Sequence, residues 1–151
     1  LSSLVLPYMQ HSEFSAIVNV GSLAGRTPLQ GAATYAATKA GLRAFTYSLA
    51  DELRASHIFV GLVSPGPIDT SFIMDNIDDV EDIVFSQPMS STVDVVEAII
   101  CIAQGMSVEI CLPRASGWLT TVSYLFPKLR RALRPYLYRK GRKKKRKYQE
   151  K

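Results

Sequence analysis

One stretch constrains this chain more than any other. An apolar run, AIVNV at residues 16–20, leads into the small-residue turn Gly21 to Gly25 and then into an alanine-rich segment. Apolar, β-branched residues without alternation mark a strand buried on both faces, and such a strand belongs in a parallel sheet with helices above and below it. The segment from about Ala33 to His57, with Ala36, Ala37, Ala40 and Ala44, has high helix propensity and a thin surface that lets another element lie close. The order strand, tight turn, long helix therefore argues for an α/β fold.

The rest of the chain repeats that order. Residues 1–10 read as the back end of a helix without an N-cap, with Leu4, Val5 and Met9 on one stripe. Ile58 to Val63 is the second strand, closed by the breaker cluster Ser64-Pro65-Gly66-Pro67. Residues 71–87 place Ile73, Ile77, Val80 and Val84 at helical spacing opposite Asp75, Asp78, Asp79, Glu81 and Asp82, which predicts an amphipathic helix. Ser91 and Asp94 have capping-box spacing ahead of a helix through Ala103, and Val108 to Leu112 is the third strand. Successive βαβ units of this kind give a parallel sheet with right-handed crossovers.

Within this frame Tyr35 and Lys39, four residues apart on the long helix, share one face. A lysine ammonium beside a phenol stabilises the phenolate, so the pair forms an acid/base tuned below the ordinary phenol value of about 10. Ser22, thirteen residues before Tyr35, ends the first strand, where its hydroxyl can bond a substrate oxygen that the tyrosine also contacts. Gly21 and Gly25 bracket that turn and let the backbone approach a ligand.

The segments IVNVGSLAG, YAATKAGL and VSPGPIDT, in this order and spacing, resemble the short-chain dehydrogenase/reductase superfamily, whose pattern is a serine followed by Tyr-x-x-x-Lys. The resemblance covers residues 1 to about 113. It implies the C-terminal half of a Rossmann-like doubly wound parallel sheet, with about three strands, and an NAD(P)-dependent oxidoreductase that interconverts a hydroxyl and a carbonyl. Under it Tyr35 is the acid/base, Lys39 lowers the phenol pKa and bonds the nicotinamide ribose, and Ser22 holds and polarises the substrate oxygen. Pro65, Gly66, Ile68 and Thr70 match the P-G-x-(V/I)-x-T loop, where the backbone near Ile68 binds the carboxamide and Thr70 adds a cofactor contact. Family analogy makes residues 71–87 a lid presenting Phe72, Met74 or Phe85 to an apolar substrate such as a lipid, steroid or long-chain alcohol. It also implies a homo-dimer or tetramer of the full-length protein, packed through the alanine-rich helix and the truncated first helix.

Two family features are missing from the chain. No glycine-rich G-x-G-x-x-G turn follows any strand, and the catalytic asparagine on the helix before the serine strand would fall ahead of Leu1; Asn19, inside the strand, is read as structural. The chain is thus expected to be the C-terminal part of a longer reductase, inactive alone, with the choice of NAD or NADP set by residues outside it.

The net charge of +5 conceals an asymmetry. Residues 1–127 carry five basic and twelve acidic side chains, whereas residues 128–151 carry thirteen basic and one acidic. Residues 114–151 read as a basic amphipathic extension in which Trp118, Val122, Leu125, Leu129, Leu133 and Tyr136 trace an apolar stripe interrupted by Pro127 and Pro135, with Lys128, Arg130, Arg131 and Arg134 around it. Such a segment, spanning 118–147, suits an anionic membrane surface; a nucleic-acid patch, a localisation signal and a solvated tail are the competing readings, and nucleic acid ranks behind lipid. An otherwise cytoplasmic protein, peripheral on a membrane, follows, with a non-catalytic module displaying this tail as the alternative to an enzyme. No apolar run approaches the roughly 18 residues of a membrane span. Cys101 and Cys111 are read as reduced thiols, and with His11 and His57 isolated from them no metal site is expected.

Overall fold

The computed structural model describes residues 2–75 and 77–150; the side chains of Ser3, Phe72 and Met74 also lie outside the described set, so the expected presentation of Phe72 and Met74 to a substrate falls outside it too. The elements follow as α1 (Ser2–Met9), β1 (Ser15–Val20), a 3₁₀ turn (Leu23–Gly25), α2 (Ala33–Glu52), β2 (Ile58–Pro65), α3 (Ser71–Asp75), 3₁₀ turns at Ile77–Asp79 and Asp82–Ser86, α4 (Thr92–Ala103), β3 (Glu109–Leu112), α5 (Arg114–Leu125) and α6 (Pro127–Gln149). The strands form a parallel sheet in the order β1-β2-β3, with Ala16 facing Phe59 and Leu62 facing Glu109 in register. This is the α/β arrangement expected, a parallel sheet between helices.

Alternation along β2 divides the core between the two faces of the sheet. Ile58 and Val60 pack with Leu49 of α2 and with Leu6 and Met9 of α1, whereas Val63 packs with Ala98 and Ile102 of α4. Because side chains alternate along a strand, a central strand covered by helices above and below must be apolar at nearly every position. β1 lies at one edge, and among the described residues no strand pairs with its far side.

The capping box forms as its spacing requires: Ser91 Oγ accepts from Asp94 N, and the Asp94 carboxylate accepts from Ser91 N. Three expectations need correction. α2 ends at Glu52, not His57, because Ser56 turns the chain back, donating from its hydroxyl to Leu53 O and accepting from Ile58 N. Residues 71–87 form no continuous helix. The run of aspartates has poor helix propensity, and Glu81 adopts an extended conformation that separates the short turns.

The third correction concerns Phe85, which the tail covers. The apolar stripe is split between two helices at Phe126, whose non-helical backbone precedes Pro127, the first residue of α6. α6 folds back over Asp82–Ser86. There Tyr138 Oη donates to Glu81, Arg142 pairs with Asp82 at 2.8 Å, and Lys145 Nζ donates to the carbonyls of Asp78 and Val80. Gly141 makes this approach possible, because a Cβ there would stand 1.8 Å from the Asp82 carbonyl oxygen. Part of the basic run is thus neutralised by the acidic segment of the same chain. Phe85, expected to face a substrate, is fully buried under α6 with its ring 6.1 Å from that of Tyr148.

Candidate active site

In a parallel sheet all strands present their carboxyl ends at one edge, where α/β folds bind ligands. The structure brings Ser22, Tyr35 and Lys39 to this edge. Gly21 N donates to Val63 O at 2.7 Å, holding the end of β1 against β2, and Ser22 caps the following 3₁₀ turn by accepting from Ala24 N at 3.1 Å. An accepting hydroxyl keeps its own hydrogen, so Ser22 can still donate to a substrate oxygen. Lys39 Nζ donates to Val20 O at 3.0 Å and lies 5.8 Å from the centroid of the Tyr35 ring. The Tyr35 side chain is open to solvent, at 48% exposure.

The bracketing glycines serve packing within the protein. A Cβ on Gly25 would stand 2.6 Å from Lys39 O, so the serine turn presses directly on the backbone of α2; a Cβ on Gly21 would meet the buried Leu62 side chain at 2.9 Å. Backbone contact between the turn and the helix sets the spacing of Ser22 from the Tyr35 and Lys39 pair.

Pro65 ends β2, and Gly66 N donates to Leu112 O at 2.7 Å, which tethers the loop to β3. Ile68 forms a parallel bridge with Ser90, in which Ser90 N donates to Pro67 O and Asp69 N donates to Ser90 O, each at 3.0 Å. A parallel bridge of this form uses the peptide groups flanking Ile68 and leaves the N–H and C=O of Ile68 itself pointing the other way. Thr70 follows on the same loop, partly exposed.

A buried polar cluster that the sequence reading missed lies beneath these residues. Glu109 on β3, its side chain 6% exposed, accepts from Arg26, from Arg43 at 3.0 Å, from Tyr47 Oη at 2.9 Å and from Ser64 Oγ at 2.7 Å. Burial alone would raise its pKa, but the bonds from Arg43, Ser64, Arg26 and Tyr47 outweigh burial and bring it down to about 2. Burial and the bond to Glu109 push the Tyr47 phenol up, which keeps it a donor. The signal was available: a lone acid in an apolar strand demands a buried cation. Asn19 donates to Thr46 Oγ1 at 2.9 Å, a tie between β1 and α2 in keeping with a structural role.

A groove of about 470 Å³ lined by Phe14, Asp51, Arg54, His57 and Val108 lies at the amino-terminal edge of the sheet, away from Ser22 and Tyr35. Among the described residues no group of three or more His, Cys, Asp or Glu side chains is placed to hold a metal ion.

A parallel α/β unit with helices on both faces and serine, tyrosine and lysine at its carboxyl edge defines a Rossmann-like class of fold. The short chain dehydrogenase family model matches residues 1–81, and the chain belongs to that family. It is 44% identical over 70 residues to the 3-oxoacyl-(acyl-carrier-protein) reductase FabG of Pseudomonas aeruginosa, covering 46% of this chain and 28% of that protein. Over 59 residues it is 49% identical to carbonyl reductase family member 4 of Danio rerio, covering 39% of this chain and 25% of the other. Among solved structures, a short chain dehydrogenase from Burkholderia cenocepacia in complex with NADP is similar over 87% of this chain and 52% of that one, with 25% identity and a TM-score of 0.64. One from Sphingobium yanoikuyae in complex with NADPH is similar over 89% and 50%, with 26% identity and a TM-score of 0.62. The chain therefore spans about half the length of these structures and a little over a quarter of FabG.

Proposed function

We propose that the protein carrying this chain is an NAD(P)-dependent oxidoreductase that interconverts a hydroxyl and a carbonyl group. The observation that carries this reading is the placement of Lys39, which joins the end of the serine strand at Val20 to the ring of Tyr35 at the sheet's ligand-binding edge. The residues present suit the nicotinamide end of a dinucleotide. The outward N–H and C=O of Ile68 match a carboxamide's acceptor and donor, Thr70 would add a hydroxyl, Lys39 would bond the ribose, and Pro65 and Gly66 would hold the loop. When bound, the dinucleotide supplies or takes the hydride. Tyr35 Oη then gives its proton to the carbonyl oxygen in reduction, or takes one from the alcohol in oxidation, while the Ser22 hydroxyl donates to the same oxygen and orients it.

An apolar substrate such as a lipid, steroid or long-chain alcohol, and a homo-dimer or tetramer formed through α1 and α2, belong to this reading. Residues 1–151 assayed alone are expected to be inactive. Tyr35→Phe in the full-length protein tests the reaction. Loss of turnover with cofactor binding retained supports it; an unchanged phenotype favours the non-catalytic alternative, a module displaying a basic tail.

Peripheral membrane binding is a second reading, supported by one observation. Trp118 (76% exposed), Leu119, Tyr124, Leu125, Phe126, Leu129 and Tyr136 of α5 and α6 stand open to solvent near Lys128, Arg130 and Arg131. Exposed aromatic and aliphatic groups beside cations suit the interface of an anionic bilayer. No helix among the described residues is long and apolar enough to cross a membrane. Co-sedimentation of the full-length protein with phosphatidylserine vesicles, but not with phosphatidylcholine vesicles, is expected; equal pelleting with both, or with neither, refutes the reading.

A further inference from the structure

The segments that bear the proposed chemistry arrive from three separate elements and share one partner. Arg26, four residues after Ser22, ends the serine turn. Arg43 is one helical turn beyond Lys39, and Tyr47 is one turn further along the same face of α2. Ser64, fully buried, immediately precedes Pro65 and Gly66. Each donates to the carboxylate of Glu109, with Arg43 reaching both oxygens from Nε at 3.2 Å and Ser64 held on Oε1 at 2.7 Å. Arg26 extends the network outward, with Nε to Thr120 Oγ1 at 3.2 Å, and Nη2 to Gly117 O at 3.2 Å and to Thr121 Oγ1 at 3.0 Å. It thereby ties the serine turn to α5.

We propose that Glu109 is a positioning residue, whose carboxylate sets the Ser22 turn, the Tyr35 and Lys39 helix and the Pro65 to Thr70 loop relative to one another. The inference rests on the oxidoreductase reading above. A buried carboxylate that receives bonds from four side chains is costly to bury and cheap to replace by apolar packing if stability were its only role. Its partners, however, are distributed one to each site-bearing segment, with a second on α2. Small misplacements of groups that must meet at one substrate atom cost rate far more than they cost binding.

The test is a double-mutant cycle in the full-length protein. Glu109→Gln keeps the size and part of the bonding but leaves two guanidinium groups without their anion. It is expected to lower kcat by roughly 10- to 100-fold with cofactor Kd changed less than about 3-fold. Ser22→Ala and Glu109→Gln are expected to be strongly non-additive in kcat, because a serine already displaced has less to lose. If Glu109→Gln lowers expression of folded protein, Arg26→Gln serves instead. It detaches the serine turn from Glu109 and from α5 together, leaves Arg43, Tyr47 and Ser64 on Glu109, and is expected to show the same non-additivity with a melting temperature within a few degrees of the parent, whereas Thr121→Val, which loosens the α5 tie alone, is expected to leave kcat unchanged. Additive losses in both cycles, or unchanged kcat in Glu109→Gln or Arg26→Gln, overturn the inference. Should the parent show no NAD(P)-dependent turnover, or Ser22→Ala and Tyr35→Phe leave it intact, the reading of this site as the oxidoreductase centre fails, an outcome separate from additivity.

Discussion

Gly25 lies against the main chain of Lys39 so closely that a methyl group at position 25 would stand 2.6 Å from the Lys39 carbonyl oxygen and 3.0 Å from Ala40 N. The obstacle is helix backbone, which cannot rotate away. Gly25→Ala is therefore expected to push the serine turn off α2, with a loss of about 1–3 kcal/mol in stability and a fall in kcat larger than the change in cofactor affinity. Thermal melts alongside steady-state kinetics read both effects.

Lys39 is held by Val20 O on one side and faces Tyr35 on the other. Lys39→Met keeps the length and removes the charge, and turnover is expected to fall by roughly 10²- to 10⁴-fold. Lys39→Arg is expected to restore little, since a planar fork does not replace a compact ammonium at that carbonyl. Single-turnover kinetics at saturating cofactor separate the chemical step from binding.

The Glu109 carboxyl is held at about 2, below its ordinary 4.5. A folded-state pKa below the unfolded one means that the charged form stabilises the fold. That contribution is complete above about pH 4.5 and is lost as pH falls from there towards 2, on the order of 3 kcal/mol in all. Acid denaturation followed by circular dichroism is expected to show this loss in the parent protein and a correspondingly flatter dependence in Glu109→Gln.

Thr46 is fully buried and holds α2 to β1, accepting from Asn19 and donating to Leu42 O at 2.7 Å. Thr46→Val keeps the shape and strands the Asn19 amide. A loss of about 1–3 kcal/mol in urea unfolding is expected, against a smaller loss when Asn19→Leu is added to remove the orphaned group.

Gly141 decides whether α6 can lie on the acidic segment. Gly141→Ala is expected to lift α6 away from Asp82, release Lys145 from the carbonyls of Asp78 and Val80, and expose Phe85. Faster tryptic cleavage between residues 139 and 147, with the rest of the chain's digestion unchanged, is the expected signature; identical cleavage rates would show that the helix tolerates the extra methyl group.

Much of this protein was legible in local pattern. Largely apolar runs marked three strands, because a strand covered on both faces has few polar positions, such as Asn19, Ser64 and Glu109 here. The capping box at Ser91 and Asp94 carried its own geometry, and the Tyr35 to Lys39 spacing placed both groups on one helix face. The pattern at 71–87 misled because its aliphatic spacing is helical while its aspartates oppose a helix, and the conflict is settled by α6 packing over the segment.

The sequence by itself determined the element order, the parallel sheet and the residues that gather at its carboxyl edge, since each depends on periodicity and spacing within a few turns of chain. Only the tertiary structure decided what those elements rest on. Glu109 lies far along the chain from Arg26, Arg43, Tyr47 and Ser64, and α6 meets residues some sixty positions earlier. Such pairings leave no local signature, because a buried charge finds its partner through the packing of whole elements and not through its neighbours in sequence.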